Sequence, residues 1–569
     1  MTILGINIGE NADNEQAHDG GACLLIDGVI VGAISEERLT RKKYCGGYEN
    51  AVKHLLKQAS ITMEDIDIVA VSSYGCEPDL KLFKDLDFPE KCQVVMVPSH
   101  HLSHACSAFY PSGNKRSLIL VADNEGNILG KRKYKEMWKN AMERISFYIG
   151  EGTNIELLEH DMDDEDMVSL GELYGNITRF IGLKSYQHAG KTMALASFGN
   201  PERFSNVPLI ELLDNGKLRC PMKNEYMNSS EEIRRYFALY GHKLPPQRNP
   251  LIEPAEGIWA DLAAVTQHQL EEALLHKIRY WIKKTNCTSL CLAGGIALNC
   301  VANKRLLEET PLKQIYVQPN AGDQGQSLGN VLYAWYILLK KSEHVQIPGS
   351  GVYLGGEYTK TECLQALKKY NNVLQYEISN NVIDDVAQLL ANGSIVGWFQ
   401  GRSEWGPRAL GNRSILADPR SITTKDHINM AVKHREYFRP FAPVVPLEVA
   451  NEYFYILQPC PYMTMVADVK ENAIDLIPAA IHIDGTARIQ TVDKHDNPLL
   501  HKLLHRFSHY SGVPVLINTS FNDNEPIVET PEDAIRTFLN THIDTIVLGD
   551  IIVKKKRNGR IINDYCEKK

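Results

Sequence analysis

A chain of 569 residues with 44% hydrophobic and 23% charged side chains has room for two to four domains and an ordinary globular composition. That balance excludes a disordered, collagenous or coiled-coil protein. The net charge of −9 argues against a nucleic-acid partner, which favours a basic face, and is compatible with a cationic small substrate.

The opening MTILGINIGE has no basic segment leading into a long apolar run, so no signal peptide is expected, and no stretch approaches the ~18 apolar residues of a membrane span. The 12 cysteines are scattered without a CxxC pair, the pattern of reduced, mostly buried thiols in a cytoplasmic protein with no membrane partner. TILGINI then reads as a first strand, and GACLLIDGVIVGAISEER as a hairpin turning at Asp27-Gly28. IDIVAVSS, CQVVMVPS and RSLILVADNEGN follow as apolar runs ending in small or acidic residues. TSLCLAGGIALN and KQIYVQPNAGDQG supply two more strand–loop junctions, each leading into a helical pattern. Strands alternating with helices predict an α/β architecture with active loops at strand ends. Charge, Pro and Gly interrupt the pattern at 340–351 (KKSEHVQIPGSG), which divides the chain into domains at 1–349 and 350–569. In the second, TKTECLQALKKY and NVIDDVAQLLANG read as helices around the strand VLQYEI, followed by the strand SIVGWFQG.

The run HHLSHA at 100–105 raises a chemical question. His100 and His104 are four apart, so on a helix their Cβ atoms lie about 5–6 Å apart on one face and both imidazoles can reach one ion. His101 points elsewhere. Two neutral imidazoles leave a dication under-neutralised, so Asp123 and Asp323, each after a strand-like run, are the expected completing ligands. A mixed His/carboxylate set suits iron, manganese or zinc. An HxxxH pair is also common as a plain core pair, and the run lacks the glutamate of HExxH.

His18, in a loop after the first strand, has an imidazole able to accept a hydroxyl proton near neutral pH, or is a loop histidine bonded to backbone. Gly294 and Gly295 allow close backbone approach before a helix N-terminus, a place for an anion, and Lys191 is a candidate positive charge there or a solvated lysine. GRSEWGPRALGNRS and VKHREYFRPFAP carry Arg402, Arg408, Arg413, Lys433, Arg435 and Arg439, with Arg488, Asn518 and Ser520 further on. Cations this dense among Trp, Phe, Pro and Gly in an acidic chain point to a polyphosphate pocket rather than a solvated basic face.

HDGGACLLIDG, EERLTRKK, HHLSHACSAFY, AGGIALN, GPRALGNRS, HREYFRPFAP and INTSFNDNEPIV, in this order, make the chain resemble the NodU/CmcH O-carbamoyltransferases along nearly its whole length. The resemblance implies an N-terminal actin-like ATPase (ASKHA) domain and a C-terminal YrdC-like α/β domain. It implies that the C-terminal domain joins Mg-ATP and carbamoyl phosphate into carbamoyl-adenylate with release of pyrophosphate. The N-terminal domain then passes the carbamoyl group to a hydroxyl of a small natural product, releasing AMP. By position, the metal ligands become His100, His104, Asp123 and Asp323, with Fe(II) the first choice and Mn or Zn as alternatives, and His18 becomes the base. Arg408, Lys433, Arg439, Arg488, Asn518 and Ser520 match positions for ATP and carbamoyl phosphate, and Lys191, Gly294, Gly295 and Asn299 those for the adenylate in the N-terminal domain. A cationic acceptor is preferred, to which the acidic run DMDDEDM at 161–167 would contribute unless it is only an exposed loop, and a homodimer is compatible with the family. Gln16 stands where an acidic residue can occur, Asn124 replaces a small residue, and the segment from 127 to about 160 has no counterpart. The alternatives are a small-molecule kinase on the actin-like fold and a tRNA threonylcarbamoyl-type enzyme.

Overall fold

The computed structural model describes residues 1–9, 18–82, 88–134, 137–162, 169–184, 186–222, 229–246 and 257–556. Gln16 and most of the acidic run lie outside them.

β1 (Thr2–Asn7), β2 (Gly21–Ile26), β3 (Val29–Ser35), β4 (Ile68–Ser72) and β5 (Gln93–Met96) form a sheet in the order β3-β2-β1-β4-β5. β2 is antiparallel to both neighbours, whereas β4 and β5 continue parallel to β1. The β2–β3 hairpin turns where the sequence predicts: Asp27 and Gly28 have φ of 48° and 81°, left-handed values that match the twist of the flanking strands. β4 is buried at all five positions, which is why it reads as an unbroken apolar run.

β6 (Arg116–Ala122), β7 (Ile128–Tyr134), β8 (Met137–Glu151), β9 (Asn154–Met162), β10 (Ser289–Ala293) and β11 (Gln314–Val317) form the second sheet. Its path β9-β8-β6-β10-β11 repeats the first sheet: two antiparallel steps on one side of the opening strand, two parallel steps on the other. β7 pairs with the leading part of the long β8. This tandem sheet layout is that of the actin-like ATPase fold.

Five helices of the N-terminal half matter for the site: α1 (His100–Phe109), α2 (Ala189–Ala196), α3 (Ile258–Thr285), α4 (Cys300–Glu308) and α5 (Gln326–Leu332). α5 is wedged between β1 and α1. A Cβ on Gly5 would lie 2.1 Å from the Ser327 carbonyl oxygen, and one on Gly329 2.0 Å from that of Ser103, so both approaches need glycine. The Ser103 hydroxyl donates to Asn330 Oδ1 (2.6 Å) and lies 3.1 Å from the Gln326 carbonyl oxygen, fixing the two helices in register.

The C-terminal half is built on β12 (Leu374–Ile378), β13 (Val396–Phe399), β14 (Arg413–Ala417), β15 (Ala442–Pro446), β16 (Gln490–Val492), β17 (Leu516–Ser520), β18 (Thr545–Leu548) and β19 (Ile551–Lys555). They form one mixed sheet ordered β12-β19-β18-β13-β14-β17-β15-β16, with helices packed on it, an α/β arrangement as expected. The helices expected around VLQYEI are present at Lys360–Lys368 and Val382–Ala391, and α6 (Pro498–Ser511) packs near β15. The halves are stitched by main-chain contacts: Arg41 donates to the Pro526 and Ile527 carbonyls (2.6 and 2.8 Å), and Asn303 to that of Thr464 (2.8 Å). No described helix is long and apolar enough to cross a membrane, and no described cysteine is in a disulfide.

Candidate functional site

α1 begins at Ser99, whose hydroxyl accepts from Leu102 N–H (3.0 Å) as an N-cap. One turn apart on this helix, His100 and His104 present their rings with centroids 4.9 Å from each other. The end of β6 delivers Asp123 and the turn before α5 delivers Asp323. His104 Nε2 lies 3.3 Å from both Asp123 Oδ2 and Asp323 Oδ1; His100 Nε2 lies 3.2 Å from Asp323 Oδ1 and 4.0 Å from Asp123 Oδ2. The four predicted ligands therefore converge, with the two imidazoles buried.

Charge coupling in this cluster is strong. Burial disfavours an imidazolium at His104, but hydrogen bonds to Asp123 and Asp323 prevail and push it up to about 9. Burial likewise opposes ionisation of Asp323, yet His100 and His104 hold it well below the usual carboxylate range. Two carboxylates thus draw positive charge onto two adjacent nitrogens, the demand a dication satisfies. The donor set fits a metal of the iron, manganese or zinc type.

The sequence reading missed Gln326. Its Nε2 stands 3.0 Å from His100 Nε2 and 3.3 Å from His104 Nε2, while its buried Oε1 has no partner. An amide's two ends are interchangeable by rotation, so the unpartnered oxygen is available to the same cluster. His101 turns away, as expected: its Nδ1 meets Ser146 Oγ at 2.5 Å. Behind α1 the fully buried Glu143 accepts from Ser99 Oγ (2.5 Å) and Asn127 N–H (3.1 Å).

His18 Nδ1 pairs with Asp19 Oδ2 at 3.2 Å, and its ring lies 4.5 Å from Tyr74. Burial lowers its basicity, but Asp19, Asp323 and Asp123 outweigh that and raise it. Asp19 Oδ1 in turn accepts from Gln324 Nε2 (2.9 Å), beside Asp323. The imidazole therefore has an orienting carboxylate tied to the ligand loop. Only the tertiary structure shows Asp19 in that role.

Gly294 (φ 87°) packs on the end of β6, where a Cβ would lie 2.3 Å from the Ala122 carbonyl oxygen, and a Cβ on Gly295 would come 3.2 Å from Asp123 Oδ1. The pair lets this loop close on the metal-cluster aspartate. A short 3-10 helix, Gly295–Leu298, starts at the glycines and leads into α4, which Asn299 caps by accepting from Ala302 N–H (3.1 Å). The Asn299 amide also exchanges two hydrogen bonds with Gln267 on α3.

The C-terminal cations divide by their partners. Arg413 is buried and donates to the carbonyls of Gln400 (2.6 Å) and Gly356 (3.0 Å); Arg402 donates to those of Val31 and Leu354. Buried Lys433 donates to Ser520 O (2.9 Å), Asn522 O (2.7 Å) and Asn522 Oδ1 (2.5 Å), and Ser520 Oγ lies 3.2 Å away. Asn518 Nδ2 donates to Gln490 Oε1 (2.7 Å), leaving a buried Oδ1 without a partner. Arg408, Arg439 and Arg488 differ: they form no ion pair among the described residues, and the Nε atoms of Arg408 and Arg488 are buried without partners. Arg488 and then burial hold Arg408 well below the usual arginine range. Unneutralised cations that repel one another need an anion.

The N-terminal half reaches this pocket. Lys191 Nζ on α2 is 2.8 Å from Glu436 Oε1. Burial pushes the Tyr44 phenol up to about 12, with Asp19 and Glu37 adding to the rise and Arg408 and Arg439 opposing it. The Tyr44 carbonyl accepts from Asp19 N–H (3.2 Å), which ties this residue to the loop that carries His18. The acidic run offers less: Asp161 is buried and paired with Lys277 and with Lys217 (3.3 Å), so it is not an exposed attractant.

The family model described as carbamoyltransferase N-terminus matches residues 13–84 and 80–332, and that described as carbamoyltransferase C-terminus matches 387–555. The nodulation protein NolNO of Sinorhizobium fredii is 35% identical over 98% of this chain and 83% of its own length. A 3'-hydroxymethylcephem-O-carbamoyltransferase of Amycolatopsis lactamdurans is 30% identical over 64% of each chain. Full-length HypF in a phosphate- and nucleotide-bound form overlaps 58% of this chain and 55% of its own at 13% identity and a TM-score of 0.33.

Proposed function

The chain belongs to the carbamoyltransferase family, and from that premise we propose an ATP-driven, two-step O-carbamoyl transfer to a small natural product. The observation that carries the reading is a group of three buried arginines, Arg408, Arg439 and Arg488, that form no ion pair among the described residues, in a C-terminal half joined to the His/Asp half by the Lys191–Glu436 pair.

In the first step carbamoyl phosphate loses its phosphate to water, and the carbamate oxygen attacks the α-phosphorus of Mg-ATP. Carbamoyl-adenylate forms and pyrophosphate leaves. The three arginines offset the repulsion between the two anions that must meet, an electrostatic effect aimed at the transition state. Lys433 holds the 520–522 loop that ends the pocket, and Asn518 Oδ1 faces no protein donor. In the second step the acceptor oxygen attacks the carbamoyl carbon, the bond to the adenylate oxygen breaks, and AMP leaves. His18 takes the hydroxyl proton, with Asp19 holding the ring and stabilising the imidazolium. A divalent ion held by His100, His104, Asp123 and Asp323, Fe(II) first with Mn or Zn as alternatives, would supply Lewis-acid stabilisation of negative oxygen there. Lys191, Gly294, Gly295 and Asn299 border this half of the route. The division at residue 349 assigns one step to each domain, and the net charge of −9 favours a cationic acceptor.

Incubation of the protein with ATP, carbamoyl phosphate and a panel of alcohols tests the scheme. The expected result is AMP and pyrophosphate in equal amounts with carbamoylated product. ADP as the sole nucleotide product, the signature of a kinase, rejects it.

A further inference from the structure

Away from both sites, three side chains converge on the surface of the C-terminal half. His501 and His505 are one turn apart on α6, so their rings leave the same face of the helix. The ring centroids are 4.6 Å apart. His501 Nε2 lies 2.7 Å and His505 Nε2 2.8 Å from one and the same oxygen, Oε1 of Glu448, in the turn that follows β15.

Each ring can donate its Nε2–H to this carboxylate oxygen, and the same three atoms are placed so that one dication would take both nitrogen lone pairs and the carboxylate together. Two imidazoles and one carboxylate suit Zn2+ and its transition-metal neighbours, whereas Mg2+ and Ca2+ prefer all-oxygen sets. The side chains of His505 and Glu448 are 45% and 50% exposed, so the ion has a path in and water can complete its coordination.

We propose that His501, His505 and Glu448 bind one transition-metal dication of the Zn2+ class, separate from the cluster on α1. The ion ties α6 to the turn after β15, the strand that leads away from the Arg439 segment. It is therefore a structural clamp on the C-terminal half.

The test uses the full chain stripped of metal and titrated with Zn2+ against a chromophoric chelator. Wild type is expected to bind one equivalent more than His505→Ala, with AMP release unchanged between them. Zn2+ should also raise the Tm of wild type more than that of the variant, because binding only the folded state stabilises it by mass action. Glu448→Ala, on a different element, is measured alongside, and circular dichroism checks that both variants fold. An equal number of bound equivalents in wild type and either folded variant overturns the proposal.

Discussion

The Nε atoms of Arg408 and Arg488 are both buried without a hydrogen-bond partner, and neither guanidinium forms an ion pair among the described residues. Such a pair stores repulsion until an anion arrives. Removing one of two buried like charges that lack a counter-ion relieves both the repulsion between them and a desolvation cost. Arg488→Met is therefore expected to melt at or above the wild-type Tm without ligand, and to lose the rise in Tm that ATP gives wild type. A variant that melts well below wild type without ligand would show that Arg488 serves the fold instead.

In the proposed scheme His18 and Arg439 serve different steps. His18→Asn is expected to cut carbamoyl transfer by about 10²–10⁴-fold, the usual contribution of a positioned base. Formation of carbamoyl-adenylate, read as ATP–pyrophosphate exchange dependent on carbamoyl phosphate, should persist. Arg439→Ala should abolish both. Equal loss of exchange in the two variants contradicts the assignment of separate pockets.

How much of this was visible in the sequence varies with the kind of interaction. The spacing of His100 and His104 reveals a shared helix face because helical periodicity is local, and Asp123 and Asp323 stand out as strand-end acids. Gln326, Asp19 and Tyr44 do not, because they join the site only when α5 wedges against Gly5 and Gly329 folds onto α1. The duplicated sheet was hidden as well. β7 and the leading part of β8 carry Lys, Glu and Asn, residues depleted in strands, so this part of the 127–160 segment does not stand out as strand. In the C-terminal half the density of cations was legible but their division was not. Sequence records the charge of Arg413 and Lys433, while only the fold shows that their donors go to protein oxygens.

Lys433 provides a sharp case. Its ammonium is buried and donates to the carbonyls of Ser520 and Asn522 and to Asn522 Oδ1. Leaving buried acceptors unmatched costs roughly 1–3 kcal/mol each. Lys433→Met is therefore expected to lose about 3 kcal/mol or more in chemical denaturation without any ligand, in contrast to Arg488→Met. A Lys433→Met protein as stable as wild type, with only ATP binding impaired, would make this lysine a ligand contact rather than the pin of the 520–522 loop.

Glu143 is the support on which the metal-cluster helix rests. It has no solvent exposure, sits at the N-terminus of α1 and accepts from the Ser99 hydroxyl, the same hydroxyl that caps the helix. A carboxylate there is favoured by the helix dipole and by charge-assisted hydrogen bonds. Glu143→Gln keeps the shape, removes the charge and sets an amide donor against donors already aimed at that position. The expected cost is about 2 kcal/mol, from a weakened cap and a conflicted hydrogen bond. Because His100 follows the cap directly, loosening this turn should also displace one imidazole from the cluster and lower metal occupancy after dialysis, measured by elemental analysis. Carbamoyl-adenylate formation, which we propose for the other half of the chain, should stay near wild type. If Glu143→Gln matched wild type in both stability and metal content, the carboxylate would have no part in holding His100 and His104 in register.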